Sequence, residues 1–482
     1  MEKKVNMTEI DIIRSHLSFV LPLNYTLSQS KHFSETLQNN GYTYFNILEA
    51  SKLNEMYGEG IAVSGKEFEQ YFLPFIERKL FPPSLHEQGF HRFSKSIQKD
   101  FRFRINRRLQ RFKVRSIDII LGPFGIAFLT LRIELNETTS LSDVLDFTHH
   151  FRAVEPKVRE ERGAKVLLSN DEPISVHRFL FDQLCPFLQN LIPHDEKLQG
   201  YYGSLPYFDD ERMYTSGFLF AREHENITQD QLFRMGQVNG RTPTGEPFLS
   251  ATNPKYIQQM LQDSLHDRWA PHTYTVTTDH AFMKITNHRS DEMRQELSQF
   301  MGTHYYNLLL HYFYKIMLLR FVFEYSSIDW DKDDEYVKSL IKSITLFSSW
   351  YYSEEISTRT EGKEVSSMFR KAFNISNLFT EVTNTLNELY RNQENSNAGR
   401  MNILLFVLTV FTVISGIYGM NLVIDDWDDP FKWSKVTSYT FFEWISLITA
   451  ISGIGLSAYL IFHTFLKMGR RKWRSKKNDL SI

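Results

Sequence analysis

The chain has 482 residues, with 55 Lys and Arg against 57 Asp and Glu and a formal net charge of -2. That length holds two or three domains, and the near-neutral total argues against a dedicated nucleic-acid binder. The single cysteine, Cys185, excludes an internal disulfide and reads as a small buried hydrophobe beside Pro186.

The N-terminal stretch MEKKVNMTEIDIIRSHLSF is charged and lacks an apolar core, so no secretory signal is expected. Residues His91 to Arg115 are strongly basic, with interleaved phenylalanines. They read as a solvated face, or one near anionic lipid or an acidic neighbour, ahead of a nucleic-acid site. Residues 116–135, SIDIILGPFGIAFLTLRIEL, predict two strands around the turn Gly122-Pro123-Phe124-Gly125. Helical patterns follow at Ser140 to Arg152 and Ser175 to Leu191, and strands at Met213 to Phe220 and His272 to Thr286. Asn226-Ile227-Thr228 fits a glycosylation acceptor, without meaning in a chain whose bulk is expected in the cytosol. Phe300 to Tyr325 starts a helical section, so an α/β domain followed by long helices is expected. The histidines show no metal-binding spacing, no P-loop occurs, and no nucleophile or acid–base set stands out. No enzyme activity and no cofactor are expected.

No proline interrupts Lys363 to Tyr418, which predicts a single helix of about 84 Å. Its end, Met401 to Tyr418, is uncharged, and with Gly419, Met420 and Asn421 it reaches about 31 Å, enough for a bilayer core. Trp444 to Phe462 is a second uncharged run. The two read as transmembrane helices at about 401–421 and 442–466. Basic residues crowd Lys467 to Lys477, whereas the connection carries Asp425, Asp426, Asp428, Asp429 and Glu443 against Lys432 and Lys435, a net -3. The positive-inside rule then places both termini in the cytoplasm and the acidic connection outside, as a multi-pass protein of the plasma (inner) membrane. Steps of four and three from Ala398 bring Asn402, Leu405, Thr409, Thr412, Gly416 and Gly419 onto one helix face. The same register backwards reaches Asn395 and further polar residues. Two readings fit this stripe. One is a helix–helix seam, where small residues let backbones approach. The other is a pore lining, which requires several copies in a closed ring.

Tyr418-Gly419-Met420-Asn421 closes the first run, and the short acidic connection follows it. This arrangement resembles the CorA family of divalent-cation transporters, and SGIYGMN is close to the family signature. The likeness covers roughly the last quarter of the chain. The resemblance implies a homopentamer around one axial pore, with a CorA-like cytoplasmic funnel. The chain would then divide into an α/β domain at 1–295, a helical stalk at 296–398 and an all-helical membrane part with its basic tail at 399–482. It implies a filter of Gly419, Met420 and Asn421. It also implies pore positions at Asn395, Ala398, Met401, Leu405, Thr409, Thr412 and Gly416, to which the stripe adds Asn402. Met401 and Leu405 are the expected apolar gate. Ala398 stands where the family often has a bulky apolar residue, and Val410 where a proline is common.

The expected cargo is Mg²⁺, which dehydrates reluctantly and suits a ring of neutral amides such as Asn421. Asp425, Asp426, Asp428 and Asp429 would gather cations at the mouth. The family's acidic regulatory sites make Asp329, Asp331, Asp333 and Asp334 a candidate metal group, set against a solvated turn. The expected partners are further copies of the chain, the lipid bilayer and divalent cations, with no nucleic acid. Two alternatives stand beside this: the same fold moving Zn²⁺, Co²⁺ or Ni²⁺, and a non-conducting two-span sensor or scaffold.

Overall fold

The computed structural model describes residues 9–58, 60–156, 163–168, 171–192, 205–208, 212–288, 291–328, 334–419 and, between 437 and 459, all but 446, 450, 453, 454 and 456–458. The chain divides into two units, Met1–Thr383 and Asn384–Ile482.

The first unit is built on one sheet of 12 strands. They are β1 (Asp11–Asn24), β2 (Thr43–Tyr44), β3 (His91–Ile105), β4 (Arg108–Leu121), β5 (Ile126–Leu135), β6 (Thr139–Ser140), β7 (Lys165–Leu167), β8 (Pro173–Ile174), β9 (Tyr214–Ala221), β10 (Leu265–Trp269), β11 (Thr273–Thr277) and β12 (Ala281–Thr286). The order is β10-β11-β12-β9-β1-β5-β4-β3-β7-β8, with β2 on β3 and β6 on β1. β12 runs parallel to β9, and the other pairings are antiparallel. The turn between β4 and β5 is tied down by the Tyr25 hydroxyl, which donates to the Gly122 carbonyl at 2.8 Å. Gly125 is required there: its φ is +76°, and a Cβ would lie 2.7 Å from the Tyr25 carbonyl oxygen.

The helices are α1 (Ser30–Asn39), α2 (Gly65–Tyr71), α3 (Pro74–Leu80), α4 (Leu141–Phe151), α5 (Val176–Arg178), α6 (Gln229–Gln237), α7 (Pro254–Ser264), α8 (Asp291–Gln299), α9 (Tyr305–Ser326), α10 (Asp334–Leu346), α11 (Thr360–Ala372) and α12 (Ile375–Gly419). Strand alternation sorts the two faces of the sheet. Leu17, Phe19 and Leu21 of β1 join Phe103, Phe112, Leu129 and Leu131 in the main apolar core. Phe147 and Phe151 of α4 pack there against Phe19, Phe103 and Phe112. α4 begins where the Ser140 side chain accepts from the Asp143 backbone N–H. The opposite face lies under α9, whose Tyr305 meets Thr130 and whose Tyr312 meets Phe128 and Tyr214. α9 is apolar nearly all round because it is buried nearly all round.

These findings correct the expected fold class. An α/β funnel with a helical stalk and two membrane helices does not describe a mixed sheet with a single parallel pairing. Among the described residues no helix is long and apolar enough to cross a membrane. In α12 the charge-free stretch with described side chains, Met401 to Thr412, covers about 18 Å, against about 30 Å of bilayer core. Of the second run, the longest unbroken described helical piece is 441–445. The expected localisation, a multi-pass plasma-membrane chain with cytoplasmic termini, is overturned by the same finding. The single helix expected from Lys363 to Tyr418 is two helices. α11 stops before Asn374, whose φ of +53° is left-handed and cannot continue the coil.

Candidate functional site

Ala398, Met401, Asn402, Leu405, Thr409 and Thr412 all lie on α12 and are exposed. Every residue from Met401 to Phe406 is exposed, so no face of this segment is covered. The Thr409 hydroxyl donates to the Leu405 carbonyl at 2.8 Å, and that of Thr412 to the Leu408 carbonyl at 2.8 Å. Asn395, Gly416 and Gly419 belong to the α12 backbone, and their side-chain positions lie outside the described residues. Met420, Asn421, Asp425, Asp426, Asp428 and Asp429 lie outside them altogether, as do Asp329, Asp331 and Asp333. Asp334 opens α10. Among the described residues no group of three or more His, Cys, Asp or Glu could hold a metal ion.

A second assembly was not foreseen from the sequence. On the face of the sheet under α9, charged residues replace apolar ones at every second position. Thr130, Arg132 and Glu134 share one face of β5, opposite Asp118 of β4, Ser18 and His16 of β1, and near Arg92 and Ser94 of β3. Asp118 is fully buried and receives Arg92 Nη2 at 3.1 Å, Arg132 Nε at 3.0 Å and the Ser94 hydroxyl at 2.7 Å. Burial pushes its carboxyl up, but Arg92, Arg132 and Ser94 outweigh burial and hold it below the ordinary carboxylate range. Arg92 also donates to the hydroxyls of Tyr57 at 2.5 Å and Tyr306 at 3.1 Å. The Arg132 guanidinium lies over the rings of Tyr57 and Tyr305, at 4.8 and 4.5 Å.

Two residues further along β5, Glu134 is buried and takes hydrogen bonds from Arg14 and Arg115. His16 stands 4.0 Å from Glu134. Burial first, then Arg14 and Arg115, keep His16 neutral by lowering its pKa well below the usual value. Beyond Glu134 the face opens into a cleft of about 560 Å³, lined by Asp100, Arg102, Arg111, Lys113, Glu134, Glu137, Leu167 and Leu168 among others. The buried end cannot serve as a general base, because Asp118 shares its charge between two guanidiniums. The open end presents cations that can hold an anion.

The basic segment His91 to Arg115 is the β3–β4 hairpin that builds this cleft. Of its four phenylalanines, Phe93, Phe103 and Phe112 are core residues, at most 2 % exposed, and Phe101 packs half-buried against them. Interleaving here is strand alternation, and those rings are not a platform for stacking bases. The signal for the charged face was present in FLTLRIEL, where Thr130, Arg132 and Glu134 recur with period two between apolar residues.

No family model matches the chain, and no curated protein or solved structure matches it.

Proposed function

We propose that the chain transports a divalent metal cation, Mg²⁺, in hydrated form along the axis of a homopentamer, with Asn421 as its filter. The polar stripe of α12 is the observation that supports this reading. The hydroxyl hydrogens of Thr409 and Thr412 are committed to their own helix. Their oxygens keep lone pairs free to accept. Water bound to Mg²⁺ turns its hydrogens outward and needs such acceptors. Neutral acceptors pass the hydrated ion on, where a ring of carboxylates would hold it. Asn421 extends the same chemistry, and Asp425, Asp426, Asp428 and Asp429 would raise the local cation concentration.

The apolar side chains beside the stripe favour a ring of copies. Ile403, Leu404, Phe406 and Leu408 are each more than half exposed in the single chain. A patch of that kind marks an interaction surface. Neighbouring copies of α12 would cover its flanks and leave one stripe on the axis.

The test is Mg²⁺ influx into liposomes reconstituted with the full chain, with Zn²⁺, Co²⁺ and Ni²⁺ as competing cargoes. Influx by the wild type and its loss in Asn421→Ala support the reading. A wild type that passes no divalent ion, or an Asn421→Ala variant that passes it unchanged, sinks it.

A further inference from the structure

Three cations, Arg102, Arg111 and Lys113, stand together in the cleft at the open end of the charged face, beside the acids Asp100, Glu134 and Glu137. Arg102 and Arg111 stand directly opposite each other in the β3–β4 register. Like charges in that position repel. Lys113 follows Arg111 two residues on, on the same face of β4. Two acids stand directly opposite Lys113, Asp100 on β3 and Glu134 on β5; Glu134 is already shared by Arg14 and Arg115, and Asp100 is exposed. Arg102 leans on Asp171. Arg111 remains 3.7 Å from Glu137, with both side chains largely exposed. Among the described residues Lys113 has no ion-pair or hydrogen-bond partner from its ammonium group.

The Cβ atoms of Arg102, Arg111 and Lys113 form a triangle roughly 5–8 Å on its edges. Two planar guanidiniums and an ammonium at that spacing match linked phosphate groups, which guanidinium binds through paired hydrogen bonds. The cleft, at about 560 Å³, has the size of a small-molecule site. Leu167 and Leu168 give it an apolar lip. We infer that this cleft binds a small free ligand carrying linked phosphates. Such a ligand displaces Glu137 from Arg111 and relieves the repulsion between Arg102 and Arg111.

Isothermal titration of the full chain with sodium tripolyphosphate, without metal, tests this. Saturable binding is expected. Arg111→Gln with Lys113→Gln weakens it at least ten-fold, whereas Glu137→Gln tightens it by freeing Arg111. Arg107→Gln, at the exposed tip of the hairpin, leaves it unchanged. All these positions are exposed or half-buried, so equal thermal midpoints should certify the fold of each variant. Three results overturn the inference: no saturable binding, an equal loss in Arg107→Gln, or binding to vesicles of anionic lipid without binding to tripolyphosphate.

Discussion

At the residue scale, Asp118 carries the most weight. It is one buried acid between two buried guanidiniums, and the surplus positive charge is spread over the rings of Tyr57, Tyr305 and Tyr306. Removing one partner of such a pair strands the other charge in the interior, which costs about 3–5 kcal/mol. Asp118→Asn, which leaves Arg92 and Arg132 buried without their counter-charge, should therefore destabilise the first unit by about that amount in a urea titration. A loss below about 1 kcal/mol would show that water reaches Asp118. The buried histidines add a pH dependence. Burial, then Lys284 and His266, hold His304 down to about 3. Burial holds His311 down to about 3 against the Asn307 carbonyl that favours its charged form. The folded chain keeps both neutral, whereas the unfolded chain protonates them near the ordinary 6.5. Their contribution is complete above about pH 6.5 and is lost as pH falls toward 3, at roughly 1 kcal/mol per group and pH unit. Unfolding titrations between pH 7 and 4.5 should show this fall, and His311→Phe should flatten it. Flat stability over that window contradicts the buried neutral histidines. The period-two charges were present in the sequence, but their burial was not legible there. A charge at every second strand position reads as a solvent face, and only the cover supplied by α9 turns it inward.

At the element scale, most of the strong patterns were legible. The two strands around Gly122 and Gly125 are β4 and β5, MYTSGFLF holds β9, and His272 to Thr286 holds β11 and β12. Ser140 to Arg152 is α4, because a Ser cap precedes an amphipathic run. The helix expected over Ser175 to Leu191 breaks into short turns at Cys185-Pro186, since proline cannot donate to the helix. β3 was hidden by its own charge. Arginines on one face, and Lys95 and Lys99 among the phenylalanines on the other, masked the Phe alternation. The end of Lys363 to Tyr418 as one helix was hidden too, because Asn374 carries no proline-like signal for its left-handed turn. One inter-element contact is sharp enough to test. Gly240, just past α6, lies against α4 so closely that a Cβ would sit 2.4 Å from the Cα of Asp146. Backbone on both sides cannot give way as a side chain can. Gly240→Ala should cost about 1–3 kcal/mol in thermal unfolding. An unchanged midpoint would mean that α4 is free to shift.

At the scale of the whole molecule, the sequence carried composition and element order but not the sheet. Strand order β9-β1-β5-β4-β3 joins residues far apart in the chain, and period-two patterns do not say which strands are neighbours. The two apolar runs near the end of the chain led to membrane helices that the described structure does not contain. What α12 does offer is a polar stripe among uncovered apolar side chains, and assembly is the consequence that can be weighed. Light scattering of the full chain in detergent should give five copies. A monomer would leave the stripe without an axis to line. Passage of the cation along that stripe is the central claim, and its most direct measurement is Mg²⁺ influx by Thr409→Val with Thr412→Val. Valine keeps the shape of threonine and removes only the hydroxyl, so helix and assembly are left intact. A loss of ten-fold or more is expected, with Ile403→Val, off the stripe, close to wild type. Influx that is equal in the two variants contradicts passage of the ion along Thr409 and Thr412.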